Sequence, residues 1–73
     1  MKYYERLRQI REDADMTQAQ VAELFRMSQS YYSQMELGKK PFRVEQVIKL
    51  CEYFHVSADY IFGLPKNLNW PRG

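Results

Sequence analysis

Residues 17–36 read TQAQVAELFRMSQSYYSQME, and this stretch decides the fold. It predicts two short helices joined by a tight turn. Thr17 is a good N-cap for the first helix, and Gln20, three residues later, completes a capping-box pattern. Residues 26–27 form the turn, and Ser28 is expected to cap the second helix.

The surface of that second helix is sharply divided when side chains are placed at about 100° per residue. One side, suited to pack into a core, carries Ser28, Tyr31, Tyr32, Met35 and Glu36. The other side carries Gln29, Ser30, Ser33, Gln34 and Leu37. Amides and hydroxyls on a helix that fits a DNA major groove are groups suited to contact base edges, since an amide both donates and accepts. The alternative is a small helical bundle whose polar face is merely hydrated.

Apolar periodicity predicts three more helices and no strands, so the fold class is all-α with five helices. The expected helices span residues 3–13, 18–25, 28–37, 44–54 and 57–63, the last beginning at the cap Ser57 and ending at Gly63. Their core-facing residues are expected to be Leu7, Ile10, Ala14, Val21, Ala22, Phe25, Val44, Val47, Ile48, Cys51, Phe54, Tyr60, Ile61 and Leu64. Residues 1–64 form the expected domain and residues 65–73 a polar tail.

Composition excludes several classes of function. The net charge of +2 is too small to indicate nucleic-acid binding by itself, but Lys39, Lys40 and Arg43 follow the divided helix directly. A solvated turn is the alternative explanation for such a cluster. The single cysteine, Cys51, excludes an internal disulfide and is expected to be a buried, inert thiol. No apolar run approaches the length of a membrane span, so a cytoplasmic protein is expected.

Catalysis is not expected. The chain has one histidine and one cysteine, without the spacing of a nucleophilic triad or a metal site. We therefore expect no enzyme, no metal and no cofactor. His55 is expected to be a surface residue at a helix end.

From residue 7 to residue 63 the chain resembles the Cro/repressor-type helix-turn-helix family, also called the xenobiotic-response-element type. The matching motifs are Leu7-x-x-Ile10-Arg11, Met16-Thr17-Gln18, Val21-Ala22-x-x-Phe25, Ser28, Ser33-Gln34-Met35-Glu36-x-Gly38-Lys39-Lys40, Val47-x-Lys49-Leu50 and Val56-Ser57-x-Asp59-Tyr60-Ile61-x-Gly63. The family implies a five-helix, lambda-repressor-like domain that binds double-stranded DNA, usually as a dimer, and commonly represses transcription.

The resemblance also implies roles for individual residues. Base contacts are expected from Gln29, Ser30, Ser33 and Gln34, with Tyr31 at the edge of that face. The resemblance gives Gln18 a phosphate contact and a role in supporting the recognition helix. From their charge and position, Lys39, Lys40, Arg43 and Arg26 are also expected to contact phosphates. Arg11 and Glu36 match a family ion pair between the first and third helices.

Three positions depart from the family pattern. Arg26 stands where glycine is common, so a left-handed turn there would cost about 1–2 kcal/mol, unless the turn differs. Tyr32 replaces Ile or Val, so the core must admit a ring or direct its hydroxyl outward. Leu37 replaces a polar residue, and it either contacts a thymine methyl or is tolerated on the surface.

Partners other than DNA remain open at this point. A homodimer is expected, with Tyr53, Phe62, Leu68 and Trp70 as candidates for its surface. The rival interpretations are a protein-interaction module, the antitoxin of a toxin–antitoxin pair, or a restriction–modification controller.

Overall fold

The computed structural model describes residues 1–64, and this part of the chain holds five α-helices and no strand. They are α1 (Tyr3–Asp13), α2 (Gln18–Leu24), α3 (Gln29–Glu36), α4 (Val44–Phe54) and α5 (Ala58–Phe62). The predicted all-α class and helix order are confirmed. The tail at residues 65–73, with Leu68 and Trp70, lies outside the described residues, so the predicted domain boundary stays a prediction.

The helices α2 and α3 begin at the predicted caps. The Thr17 hydroxyl accepts from the Gln20 N–H at 3.1 Å, and the Gln20 side chain accepts from the Thr17 N–H at 2.8 Å. The Ser28 hydroxyl accepts from the Tyr31 N–H at 3.1 Å. These bonds satisfy amides that have no partner inside their own helix, and so fix where α2 and α3 begin.

The core takes residues from all five helices and from the loop after α3. Its buried apolar members are Leu7, Ile10, Val21, Ala22, Tyr32, Met35, Phe42, Val47, Leu50 and Ile61. Tyr32 is fully buried, so the core admits its ring, and the alternative of an outward hydroxyl is wrong.

Five residues expected in the core lie outside it. Val44 is 71% exposed and Ile48 50% exposed, because α4 buries the stripe of Val47 and Leu50, and they lie at its flank. Tyr60 and Leu64 are exposed because α5 is only five residues long and buries Ile61 alone. The fifth, Ala14, is exposed because α1 ends at Asp13.

A buried ion pair fixes α3 against α1. Arg11 Nε donates to Glu36 Oε2 at 2.7 Å, and Arg11 Nη2 donates to Glu36 Oε1 at 3.1 Å. Both residues are buried. Gln18 Nε2, at the start of α2, donates to the same Oε1 at 3.0 Å, and Arg11 Nη1 donates to the Met16 carbonyl at 2.7 Å. One carboxylate therefore joins three helices.

The protonation equilibria of this cluster follow from its contacts. Burial alone would raise the pKa of Glu36, but the hydrogen bonds from Arg11 and Gln18 outweigh it, and the pKa lies below its ordinary value. The hydrogen bond to Glu36 raises the pKa of Arg11. Burial, with the Glu36 carboxylate nearby, raises the pKa of the Tyr32 phenol, whose oxygen has no hydrogen-bond partner among residues 1–64.

The chain leaves α3 through a glycine that no other residue can replace without strain. Gly38 has φ +79°, and a β-carbon there would lie 2.5 Å from Cζ of Tyr4. Left-handed backbone and close approach of the Tyr4 ring therefore both require glycine at this position. The loop that follows then runs back toward α1.

Replacing Glu36 with glutamine should remove about 3–5 kcal/mol of stability, because Arg11 would keep a buried charge without a counterion. A domain of this size has a net stability of only about 3–5 kcal/mol, so Glu36→Gln should be largely unfolded. Denaturant unfolding followed by circular dichroism measures this. The control is Glu12→Gln, which breaks the exposed Arg8–Glu12 pair and should cost about 0–1 kcal/mol. Equal losses in the two variants would contradict the assignment.

The same carboxylate sets an acid limit on stability. Because folding lowers the pKa of Glu36, its contribution is complete above the unfolded-state pKa and is lost as the pH falls through the folded-state value.

Replacing Gly38 with alanine should cost more than replacing Gly63. Gly63 also has positive φ (+68°), but a β-carbon there would meet its nearest neighbour, Arg6 Nη2, at 3.6 Å. Gly63→Ala should therefore lose only the left-handed strain of about 1–2 kcal/mol, whereas Gly38→Ala must also displace the Tyr4 ring. In a Tyr4→Ala background the two losses should become equal. A difference that persists there would show that Tyr4 is not the cause.

Candidate nucleic-acid interface

The turn between α2 and α3 is tight despite its arginine. Arg26 has φ +54°, so the left-handed conformation expected where the family has glycine is present. Two backbone bonds hold the turn, from Arg26 N to the Glu23 carbonyl at 3.0 Å and from Met27 N to the Ala22 carbonyl at 3.1 Å. The Arg26 side chain is exposed. The left-handed backbone of Arg26 therefore costs about 1–2 kcal/mol, at a position whose cationic side chain faces solvent.

The polar surface of α3 divides into an exposed first turn and a deeper pair. Gln29 and Ser30 are exposed, and Tyr31 is 43% exposed. Ser33 and Gln34 are half-buried. The surface open to a partner is therefore concentrated at the start of the helix.

Two residues expected on the inner side of α3 are instead exposed. Tyr32, Met35 and Glu36 are buried as predicted, but the prediction for Ser28 and Tyr31 is wrong. Helical periodicity gives the direction of a side chain, not whether a neighbouring element lies in that direction. At the first turn of α3 such a neighbour is missing among residues 1–64.

Cations follow α3 in a segment that we call the basic loop, residues 37–43. Lys39, Lys40 and Arg43 are all exposed. The ammonium of Lys40 lies 6.0 Å from the centre of the Tyr31 ring, so the loop turns back toward the start of α3. The fold thus brings the exposed turn of α3 and a lysine of the basic loop together.

A shallow groove of about 340 Å³ lies between the α2–α3 turn and the start of α4. It is lined by Arg26, Arg43 and Lys49 together with Leu24, Phe25, Glu45 and Gln46. Arg26 and Arg43, which are 17 positions apart in the sequence, thus line the same groove.

Sequence reasoning missed the part that Lys49 plays here. Its ammonium donates to the Leu24 carbonyl at 2.9 Å and lies 5.7 Å from the centre of the Phe25 ring. It thereby satisfies a carbonyl at the end of α2. The contact joins residues 25 positions apart, and no local pattern signals it.

Gln18 is half-buried, and its amide is tied to Glu36 of α3. This hydrogen bond to α3 is consistent with the predicted role of Gln18 in supporting that helix. Its second role, contact with a phosphate, stays a prediction. Leu37 is 56% exposed beside this surface, and a contact with a thymine methyl likewise stays a prediction.

The cysteine and the histidine, the side chains best suited to catalysis or metal binding, lie on or at the end of α4. Cys51 is half-buried rather than buried, and burial followed by the charge of Glu52 raises the pKa of its thiol. His55 is exposed at the end of α4, as predicted. Within residues 1–64 we find no group of three or more His, Cys, Asp or Glu side chains placed to hold a metal ion. Over the same residues, every helix is too short or too polar to cross a membrane.

Comparison with known proteins gives a consistent result. A helix-turn-helix family model matches residues 7–61. The chain is 36% identical over 62 residues to "Uncharacterized HTH-type transcriptional regulator YobD" of Bacillus subtilis, covering 85% of this chain and 55% of that protein. It is 36% identical over 55 residues to "HTH-type transcriptional regulator PrpR" of Mycobacterium tuberculosis, covering 75% of this chain and 11% of that protein. The chain thus spans about half the length of the first relative and about a tenth of the second. No solved structure matches significantly.

The motifs quoted above lie almost entirely within the matched segment, and the fold has the helix pair that those motifs predict. The chain belongs to the Cro/repressor-type helix-turn-helix family.

Proposed function

We propose that this chain is a sequence-specific transcriptional regulator of double-stranded DNA, acting as a repressor, in which α3 enters the major groove. The observation that carries the proposal is the exposed first turn of α3, with Gln29 and Ser30 outward and the basic loop beside it. Both relatives are named as transcriptional regulators, which supports the same conclusion.

Base contacts are assigned first to the exposed turn. Gln29 has the amide that pairs with adenine N6 and N7, a contact worth about 1–3 kcal/mol of discrimination. Ser30 and Tyr31 extend the same surface. Ser33 and Gln34, being half-buried, would contact bases only where the groove closes over α3.

Phosphate contacts are assigned to the residues around that turn. Lys39, Lys40, Arg43 and Arg26 present exposed cations on either side of α3. Contacts of this kind displace condensed counterions, position the protein and carry no sequence information by themselves. Gln18 is proposed to reach a phosphate from the start of α2 while it stays bonded to Glu36.

Two copies are proposed to bind two half-sites about 34 Å apart, one turn of DNA. Tyr53 on α4 and Phe62 on α5 are 50% and 48% exposed, and so remain candidates for the contact between copies. The other two candidates, Leu68 and Trp70, lie outside the described residues.

A protein-interaction role, including that of an antitoxin, is the second candidate. The exposed Val44 and Ile48 on α4 favour it, because exposed apolar side chains together suit a protein partner. DNA binding that weakens steeply with salt supports the regulator. Binding that ignores salt and sequence supports the protein partner.

Selection of bound duplexes from a random pool tests the proposal as a whole. An enriched palindrome with half-sites about one turn apart would support both sequence reading and the dimer. Recovery of no common sequence, under conditions where the protein is folded, would overturn sequence-specific regulation.

Replacing Gln29 with alanine should reduce the preference for the enriched duplex over a random one. The loss of one bidentate base contact corresponds to about 1–3 kcal/mol, while affinity for random DNA should hardly change. Fluorescence anisotropy titrations on both duplexes measure the ratio. Equal loss on the two duplexes would remove Gln29 from the base contacts.

Replacing Lys40 with alanine should weaken binding to both duplexes alike, because a phosphate contact is independent of sequence. The slope of log affinity against log salt should fall by about one unit. Arg8→Ala is the matched control, since it removes a cation from an exposed ion pair on α1 outside the basic loop. If both variants keep the wild-type slope, Lys40 makes no phosphate contact.

A further inference from the structure

We propose that Tyr3, at the start of α1, is a positioning residue that holds the basic loop in the conformation that contacts phosphates. The proposal rests on the proposed DNA-binding function. Tyr3 touches no nucleotide in it, and acts through the backbone of Phe42.

The backbone amides of the basic loop show why Tyr3 matters. The N–H groups of Gly38, Lys39 and Lys40 donate to carbonyls of α3, at Met35 and Gln34. Pro41 has no N–H, and the Arg43 N–H donates to the side chain of Gln46 in α4 at 2.7 Å. Each of these partners belongs to a helix that flanks the loop.

The amide of Phe42 is different. Its N–H donates to the Tyr3 hydroxyl at 3.3 Å, across 39 positions of sequence. Among residues 1–64 this is the one hydrogen bond that ties an amide of the basic loop to an element outside α3 and α4. A part-buried amide left unpaired is unfavourable, so the hydroxyl selects loop conformations that present Phe42 to it.

The Tyr3 ring is itself fixed on several sides. Its centre lies 5.4 Å from that of Tyr4 in an edge-on arrangement and 5.7 Å from that of Phe62 on α5. It lies 6.1 Å from the Phe42 ring, which in turn lies 6.0 Å from Tyr32 in the core. The contacts with Tyr4 and Phe62, which lie outside the basic loop, therefore help to fix where the Tyr3 hydroxyl lies.

The position of Phe42 then sets the position of the cations. Arg43 follows Phe42 directly, and only Pro41 separates Phe42 from Lys40. Because proline fixes its own φ and restricts the residue before it, the anchored Phe42 limits the backbone conformations open to Lys40. Without the hydroxyl, the loop would populate other conformations, and the apparent affinity for DNA would fall by the fraction of molecules lost from the binding conformation.

The test compares Tyr3→Phe with Tyr60→Phe and the wild type. Tyr3→Phe removes the hydroxyl and keeps the ring. Tyr60→Phe removes the phenol oxygen of an exposed tyrosine on α5 and leaves the Tyr3–Phe42 hydrogen bond intact. Amide hydrogen exchange is followed at Phe42 and at Val21, a buried residue of α2 that reports on global unfolding. Binding to a random-sequence duplex is titrated over a series of salt concentrations at a temperature where all three proteins are folded.

We expect Tyr3→Phe to speed exchange at Phe42 more than at Val21, and to weaken binding about threefold to tenfold, the effect of losing one hydrogen bond. The salt slope should stay at its wild-type value, because a smaller competent fraction lowers the affinity by the same factor at every salt concentration. Tyr60→Phe should match the wild type in every measurement. A Phe42 amide that exchanges at the wild-type rate in Tyr3→Phe would overturn the proposal. So would faster exchange with unchanged affinity, or equal acceleration at Val21, since each shows a purely structural role. A wild-type protein that binds no duplex would refute the proposed function itself. If the wild type binds DNA and Tyr3→Phe binds it equally well, only the role of Tyr3 is refuted.

Discussion

The buried Glu36 carboxylate is the constraint on which the rest of the structure depends. It accepts two hydrogen bonds from Arg11 in α1 and one from Gln18 in α2, while belonging to α3 itself. A helix of eight residues is too short to be stable alone, so α3 depends on its neighbours. A single buried charge without its partner would be strongly destabilising, which excludes orientations of α3 that separate Glu36 from Arg11.

The exposed side of α3 is determined by which of its residues are buried. With Tyr32, Met35 and Glu36 held inside, the helical period turns Ser30 toward solvent. Gln29 lies nearly in line with Glu36 along the helix, and it is exposed because no element among residues 1–64 covers the first turn of α3. The glycine turn after α3 then sends the basic loop back across the same end of the domain. The neutral hydrogen-bonding surface and the exposed cations beside it are suited to different contacts, because amides can distinguish bases whereas lysines respond to the charge of the phosphate backbone.

Much of the fold could be predicted from the sequence, since helix bounds depend on local chemistry. The bounds of α1 and α4 match their predictions, and α2 ends one residue earlier than expected. The predictions of burial fail at Val44, Ile48 and Tyr31. Helical periodicity gives the direction of these side chains, but no described element covers them, so they are exposed. The contacts of Lys49 and Tyr3 join residues 25 and 39 positions apart, so only the fold could reveal them.

The most direct test of the DNA-reading surface is a nuclear magnetic resonance titration of the labelled protein with the duplex enriched by selection. The amide shifts that change most should be those of Gln29, Ser30 and Lys40, with smaller changes along α1. Changes confined to α4 and α5, with the start of α3 unaffected, would contradict the assignment of α3 as the helix that contacts DNA.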